Sequence, residues 1–510
     1  MNFVLLLLGL VGVARGYRIL VVFPLPSRSH YILGNGVGRG LANAGHDVTV
    51  IAPYEDKNAP KNYKNVVLTG VEDALWKGEA KEKFNPVENG KVHPWFTMLF
   101  VLNFMGNHMI EKVLGHPNFQ KVLKEQFDVV IVEQFRNDAM KALGCHFNAP
   151  LIMVSSVGVH TWVVADTGSP IPPSYVPDMS LSYTSDMNLL ERGFNLLTQL
   201  VYYLNSYLLF YPAQKAVAQK YFPKCANNEL IISNVSLYFI NSHESTNEPV
   251  PAAPNMVNIG GYHISPPKEL PADLKTFLDN AKEGVVYFSM GSNIKFSELG
   301  PEVTQAIVRA FKKIKQKVLW KYDGDELPGK PGNVKIAKWF PQADILAHPN
   351  VKLFITHGGL LSTLETIYHG VPVLTLPVFG DQRLNAARTE IFGYGLAIDF
   401  FELNEENFSD AIEKMLSDPK YFNTAKKRSV LFHDRPMKPV DSLVYWTEYI
   451  ARHRGAPHLK VAGFNLPWYK YFLVDVIVVF VLLPVLLLYL LVKKLCSKAS
   501  KRGQKKNKSD

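Results

Sequence analysis

Between Val351 and Leu376 the chain can hardly fold as anything but one βαβ unit. Val351–Thr356 is a short apolar run of β-branched and aromatic residues, the pattern of a buried strand. His357-Gly358-Gly359 follows at once, and Leu360–His369 then places apolar residues at helical spacing. Gly370-Val371-Pro372 stops that helix, and Val373–Leu376 reads as the next buried strand. Ligands in such units sit outside the carboxyl ends of the strands, where His357 falls. Two glycines admit a ligand close to the backbone, and the helix N-terminus offers free N–H groups and the positive end of its dipole. Ser362 and Glu365, three residues apart, share one helix face. A hydroxyl there suits phosphate, and a carboxylate suits ribose hydroxyls. The two together point to a nucleotide.

At 510 residues the chain is long enough for two domains with appendages. The formal net charge of +10 is no nucleic-acid signal, because +7 of it lies in Lys493–Asp510. The rest is near neutral, so no nucleic-acid partner is expected. Three cysteines are too few for a disulfide framework. Cys145 and Cys225 are either a pair or two buried thiols.

Residues 1–16 carry an apolar run ending in small residues, the pattern of a cleaved signal peptide and too short to span a membrane. Tyr17–Phe23 is the first strand expected of the mature chain, with Pro24–His30 as its loop. Gly34, Gly36, Gly38 and Gly40 follow without dinucleotide spacing, and that reading is discounted. Trp95, Phe96, Phe100 and Phe104 form an aromatic cluster, read either as domain core or as an apolar acceptor pocket. Phe127–Glu133 is a buried strand ending in a carboxylate. A proline-rich linker at 249–254 separates a first domain, 17–250, from a second, 255–440. The second domain restarts the α/β rhythm with Val285–Met290 and the small turn Gly291-Ser292. Residues 441–470 supply a further helix and a juxtamembrane segment. Residues 473–492 are long and apolar enough to span a bilayer, with Trp468, Tyr469 and Tyr471 before them and the basic tail 493–510 after.

The stretch Trp339–Gln382 resembles the signature of UDP-glycosyltransferases: W-x-P-Q, H-G-G, S-x-x-E, H-G-V-P and a final D-Q. The resemblance implies a GT-B fold, two Rossmann-like domains facing a cleft, with an acceptor site on the first and a UDP-sugar site on the second. Trp339 would stack on uracil and Gln342 would contact the nucleoside. His357 with Gly358 and Gly359 would bind the diphosphate, Ser362 phosphate, and Glu365 the ribose hydroxyls. Asp381 and Gln382 would hold sugar hydroxyls. Ser292, with His357, Ser362 and the helix N-terminus, would stabilise departing UDP. His30 is the expected general base, with a carboxylate orienting it. Where the family has Asp this chain has Glu133; Asp138 is the rival.

The resembling fold needs no metal, so no cofactor is expected; the UDP-sugar is a co-substrate. The implied reaction inverts the anomeric centre, transferring a hexose to a hydroxyl of a small lipophilic acceptor. Leu360-Leu361-Ser362 resembles insect members, which favours UDP-glucose over UDP-glucuronate. A non-catalytic lipophile-binding protein of the same fold is the alternative from another class. By the positive-inside rule the basic tail is cytosolic and residues 17–470 are lumenal. Lys506-x-Lys508 resembles a retrieval signal, so the expected location is the endoplasmic reticulum membrane, single-pass, with both domains lumenal. Asn234-Val235-Ser236 and Asn407-Phe408-Ser409 are then glycosylation candidates, and a homo-oligomer is compatible with all of this.

Overall fold

The computed structural model describes residues 16–73, 77, 85–225, 235–292, 294–296 and 300–506. Nearly all of the expected signal peptide, Asn234 of the first glycosylation candidate, and the last four residues lie outside these. Two sheets carry the fold. The first runs β1 (Arg18–Val22), β2 (Asp47–Ala52), β3 (Tyr63–Val67), β4 (Val129–Gln134), β5 (Leu151–Ser155), β6 (Val235–Ile240) and β7 (Met256–Asn258). Its spatial order is β3-β2-β1-β4-β5-β6-β7, all parallel. The second comprises β8 (Val285–Ser289), β9 (Lys317–Lys321), β10 (Val334–Ala337), β11 (Val351–Thr356), β12 (Val373–Thr375) and β13 (Gly395–Ala397). Its order, β10-β9-β8-β11-β12-β13, is also all parallel. The near-continuous apolar strands follow from this, since helices cover both faces of a parallel sheet.

In each sheet the strand order reverses between the first strand and the fourth, so β1 lies beside β4 and β8 beside β11. The crevice at such a switch point receives ligands. Residues following β1 and ending β4 therefore converge in one domain, and residues following β8 and β11 converge in the other.

Two details differ from expectation. The proline-rich stretch 249–254 joins two neighbouring strands of the first sheet, and the crossing to the second sheet comes after Asn258. His30 is not in a loop: the helix Arg28–Asn43 has already begun, so His30 stands in its first turn. The glycines of that helix serve packing. A Cβ on Gly34 would meet Phe23 at 2.5 Å, and one on Gly38 would meet Tyr63 at 2.6 Å. The helix thus lies closer to the sheet than any larger residue allows.

The helix Pro439–Arg452 returns to the first domain, burying Leu443 and Ile450 in the core beside the helix Arg28–Asn43. Cys145 and Cys225 are disulfide-bonded, 5.8 Å apart at Cα, which decides between the two readings of that pair. Residues 460–510 form a separate unit. Among the described residues its helix Val474–Lys498 is the one long and apolar enough to cross a membrane, by length and composition.

Candidate active site

A cavity of about 480 Å³ lies between the two sheets' carboxyl edges, and residues of both domains line it. On the first domain's side the switch point brings His30 against Glu133. His30 Nδ1 is hydrogen-bonded to Glu133 Oε1, an atom that also accepts from the Ser156 hydroxyl at 2.5 Å. Glu133 is wholly buried and His30 slightly exposed. Phe135 packs edge-on against the imidazole at 4.8 Å. With Nδ1 taken, Nε2 is the ring atom able to accept a proton. Asp138, the rival carboxylate, is committed elsewhere. It accepts from Lys141 Nζ at 2.5 Å, and Lys141 lies equally close to Asp166, all three groups being buried. Burial alone would pull the Lys141 ammonium down; Asp138 and Asp166 more than offset it and hold it up at about 12.

On the second domain's side the imidazole of His357 is clamped between two glycines. A Cβ on Gly291 would meet its Cε1 at 2.6 Å, and one on Gly359 would meet its Nε2 at 2.6 Å. Gly358 does not line the cavity. Its φ of +82° makes the turn out of β11, and its carbonyl accepts from Asn385 at 2.9 Å. Burial, with Lys321 nearby, pushes the His357 imidazole down to about 4, so the ring is neutral near pH 7. Ser292 lies exposed at the cavity wall beside Gly291.

Gln342, Ser362 and Glu365 form one cluster. Gln342 Nε2 donates to Glu365 Oε2 at 2.7 Å and to Ser362 Oγ at 3.1 Å. Burial pushes the Glu365 carboxyl up to about 7, against the bond from Gln342. Trp339 is 61% exposed at the cavity wall. Asp381 accepts from Asn385 at 2.8 Å, and burial raises its carboxyl, with His30 among the groups opposing that shift. Gln382 uses its Oε1 to accept from the Val378 and Phe379 backbone at 2.9 and 3.1 Å, fixing the loop before it.

Two cavity residues escaped the sequence reading. Lys321 ends β9; its Nζ donates to the Gly291 carbonyl at 2.6 Å and lies 4.9 Å from the Trp339 ring centroid. Its ammonium is thus a cation held over the aromatic ring, beside His357. Ser156 sits one residue past β5, where it reaches Glu133 on the neighbouring strand. The available signal for both was position at a strand's carboxyl end, which many residues share. The aromatic cluster divides: Trp95 and Phe104 pack partly buried against apolar clusters of the first domain, as the core reading expects, whereas Phe96 and Phe100 point outward, 49% and 60% exposed.

Two facing Rossmann-like domains, with a His–Glu pair on one and a glycine-clamped histidine beside a Gln–Ser–Glu cluster on the other, are the architecture of a GT-B glycosyltransferase. Solved structures of that kind superpose on it. The glycosyltransferase of kitacinnamycin covers 87% of this chain and all of its own, with a TM-score of 0.57 and 18% identity. The glycosyltransferase VinC, in complex with dTDP, covers 86% of this chain and 100% of its own at 0.55 and 16%.

The chain belongs to the family described as "UDP-glucoronosyl and UDP-glucosyl transferase", whose model matches residues 18–509, and it is a UDP-glycosyltransferase. A "UDP-glycosyltransferase UGT5" of Dactylopius coccus is 36% identical, over 95% of this chain and 93% of its own. A "UDP-glucosyltransferase 2" from the same insect is 34% identical over 97% and 96%. The human "UDP-glucuronosyltransferase 2B15" is 31% identical over 94% of each.

Proposed function

We propose that this enzyme transfers glucose from UDP-glucose to a hydroxyl of a small lipophilic acceptor, with inversion, as a detoxifying or inactivating conjugation. The observation that carries the reading is the His30–Glu133 contact, placed in the same cavity as the donor-type cluster of the second domain. His30 Nε2 takes the acceptor proton as the hydroxyl oxygen attacks the anomeric carbon; Glu133 stabilises the imidazolium that forms. The bond to UDP breaks as the new one forms, and Lys321, neutral His357, Ser292 and Ser362 take up the charge developing on the diphosphate. The insect glucosyltransferase relative supports glucose as the sugar. An apolar acceptor is supported by Leu102, Phe135, Trp162 and Tyr202 in the first domain's share of the wall. A glucuronate donor is the second reading. Arg383, next to Gln382 in the wall, has a buried Nε without a partner among the described residues, and a sugar carboxylate would supply one. The test is UDP release by the purified full chain, with UDP-glucose and UDP-glucuronate each mixed with phenolic and steroidal alcohols. Glucosides alone are expected; glucuronides alone would replace the first reading by the second.

The donor roles divide between two carboxylates. Glu365→Ala should weaken UDP binding about ten- to hundredfold, because hydrogen bonds to a charged group contribute roughly 1.5–3 kcal/mol. Asp381→Ala should impair use of UDP-glucose and leave UDP affinity nearly unchanged. Binding should also depend on pH. A ribose that donates to ionised Glu365 must expel a proton below about pH 7, where burial holds that carboxyl. Affinity for UDP therefore falls as the pH drops from 7 to 6 and levels off above 7. Glu365→Gln should flatten this profile in calorimetric titrations at pH 6, 7 and 8. Equal loss of UDP binding in the two alanine variants would contradict the division.

We place both domains in the lumen of the endoplasmic reticulum, anchored through Val474–Lys498, with the basic tail cytosolic. The disulfide supports an oxidising compartment. Protease added to sealed microsomes should trim only the tail; digestion of the domains from outside would reverse the orientation. Asn407 is a poor glycan acceptor in the folded chain. It is bound in a capping box with Asn404, and the hydroxyl of Ser409 is buried.

A further inference from the structure

The helix Leu189–Asn205 and its continuation Ser206–Phe210 are built inside out. The residues facing the protein are mostly polar: Asn195, Thr198, Gln199, Asn205 and Ser206 are all buried, with Tyr202 and Phe210 among them. Asn195 donates to the Pro173 and Val176 carbonyls at 2.8 and 2.9 Å and accepts from the Asp178 amide at 2.8 Å. Thr198 Oγ1 accepts from Trp95 Nε1 at 3.0 Å, and Asn205 Oδ1 from Asn103 Nδ2 at 2.7 Å. Rolling the helix to hide its apolar side would strand these groups without partners, so the orientation is locked.

The outward side is leucine. Leu196, Leu197, Leu200, Leu204, Leu208 and Leu209 are each 45–68% exposed. Exposed Phe96 and Phe100 belong to the segment that the Trp95–Thr198 bond ties to this helix. That segment also sends Thr97 and Leu102 into the cavity, and the leucine helix sends Tyr202 there. One wall therefore has the active-site cavity on one side and a bare apolar surface on the other. A contiguous apolar surface of this kind marks an interaction site.

We infer that this surface docks on a lipid bilayer, the leucines lying among the upper acyl chains. Charge selects lipid over a protein partner. No charged residue occurs from Gly193 to Gln214, and the run is flanked by Arg192 and Lys215, cations suited to headgroup phosphates, while the neighbouring Glu191 is engaged in the helix capping box. An interface with protein carries a polar rim along its length. The chain also holds its own bilayer-length helix, which tethers the domains near a membrane and makes weak surface docking effectively intramolecular. The inference goes beyond the proposed reaction and depends on neither donor nor acceptor.

The test places a nitroxide at Leu204→Cys, and separately at Leu200→Cys, in the full chain carrying Cys496→Ser. The protein is reconstituted in phosphatidylcholine vesicles. Collision rates with oxygen, which concentrates in lipid, are compared with those of a water-soluble nickel chelate. Oxygen should dominate severalfold at both positions, and the chelate should dominate at an exposed control, Lys312→Cys. Chelate access at 204 and 200 equal to that at 312 would put the face in water. Access to neither reagent would mean that protein covers it. Either result overturns the inference, and neither depends on enzyme activity.

Discussion

His30→Ala should lower turnover by about 10²–10⁴-fold, the range typical of a lost general base. UDP affinity should be preserved, because His30 stands on the first domain and the nucleotide-type cluster on the second. Glu133→Gln should cost nearly as much. The carboxylate holds Nδ1 and faces the imidazolium at the moment it forms; an amide in its place keeps the shape and loses the charge. Residues that act as one unit are not additive, so the double variant should be little worse than either single one. Ser156→Ala should cost less, since it removes one of two groups bonded to Glu133 Oε1 and leaves the other. The measurements are kcat with a saturating phenolic acceptor and UDP binding by calorimetry on the same preparations. Turnover abolished by Asp138→Asn but unaffected by Glu133→Gln would assign the partner to Asp138.

Lys141→Met should destabilise the first domain by about 3–5 kcal/mol, the cost of breaking a buried ion cluster by removing one sign of charge. Lys141 is 1% exposed, with Asp138 and Asp166 both at 2.5 Å; without its ammonium two carboxylates face each other away from water. Asp166 also accepts from the Tyr238 hydroxyl, so the loss extends to the β6 side of the sheet. Asp138→Asn should cost less, because its amide oxygen still accepts from Lys141, and kcat per folded molecule should stay unchanged. Denaturant midpoints of the full chain in detergent read the first effect, and active-site titration reads the second. A midpoint unmoved by Lys141→Met would mean that water or a relaxed geometry already shields the cluster.

The two predictions concern neighbouring residues of opposite use, and the sequence ranked them only by a general rule. Glu133 ends a strand at the edge where ligands gather; Asp138 begins the next turn. That rule favoured Glu133, but the buried lysine that occupies Asp138 comes three residues later and was invisible as a partner. Asp166 comes from farther along the chain, and only folding brings it there.

Local pattern by itself determined the parallel α/β rhythm, the βαβ unit around His357, the strand end that carries Glu133, and the bilayer-length apolar helix. Each of these follows from periodicity or from glycine and proline at fixed offsets, which act over a few residues. The tertiary structure decided what depends on neighbours far apart in the chain. Lys321 became part of the site because β9 pairs with β8, and Ser156 because β5 pairs with β4. Cys145, in the short helix Ala142–His146, and Cys225, in the turn after the helix Tyr211–Tyr221, are 80 residues apart in sequence, and only folding brings them together. The helix Leu189–Asn205 is amphipathic, and the apolar face of such a helix ordinarily packs inward. The buried hydrogen bonds of Asn195, Thr198 and Asn205 turned it the other way, because an amphipathic pattern specifies two faces and only the surroundings specify which one is inside.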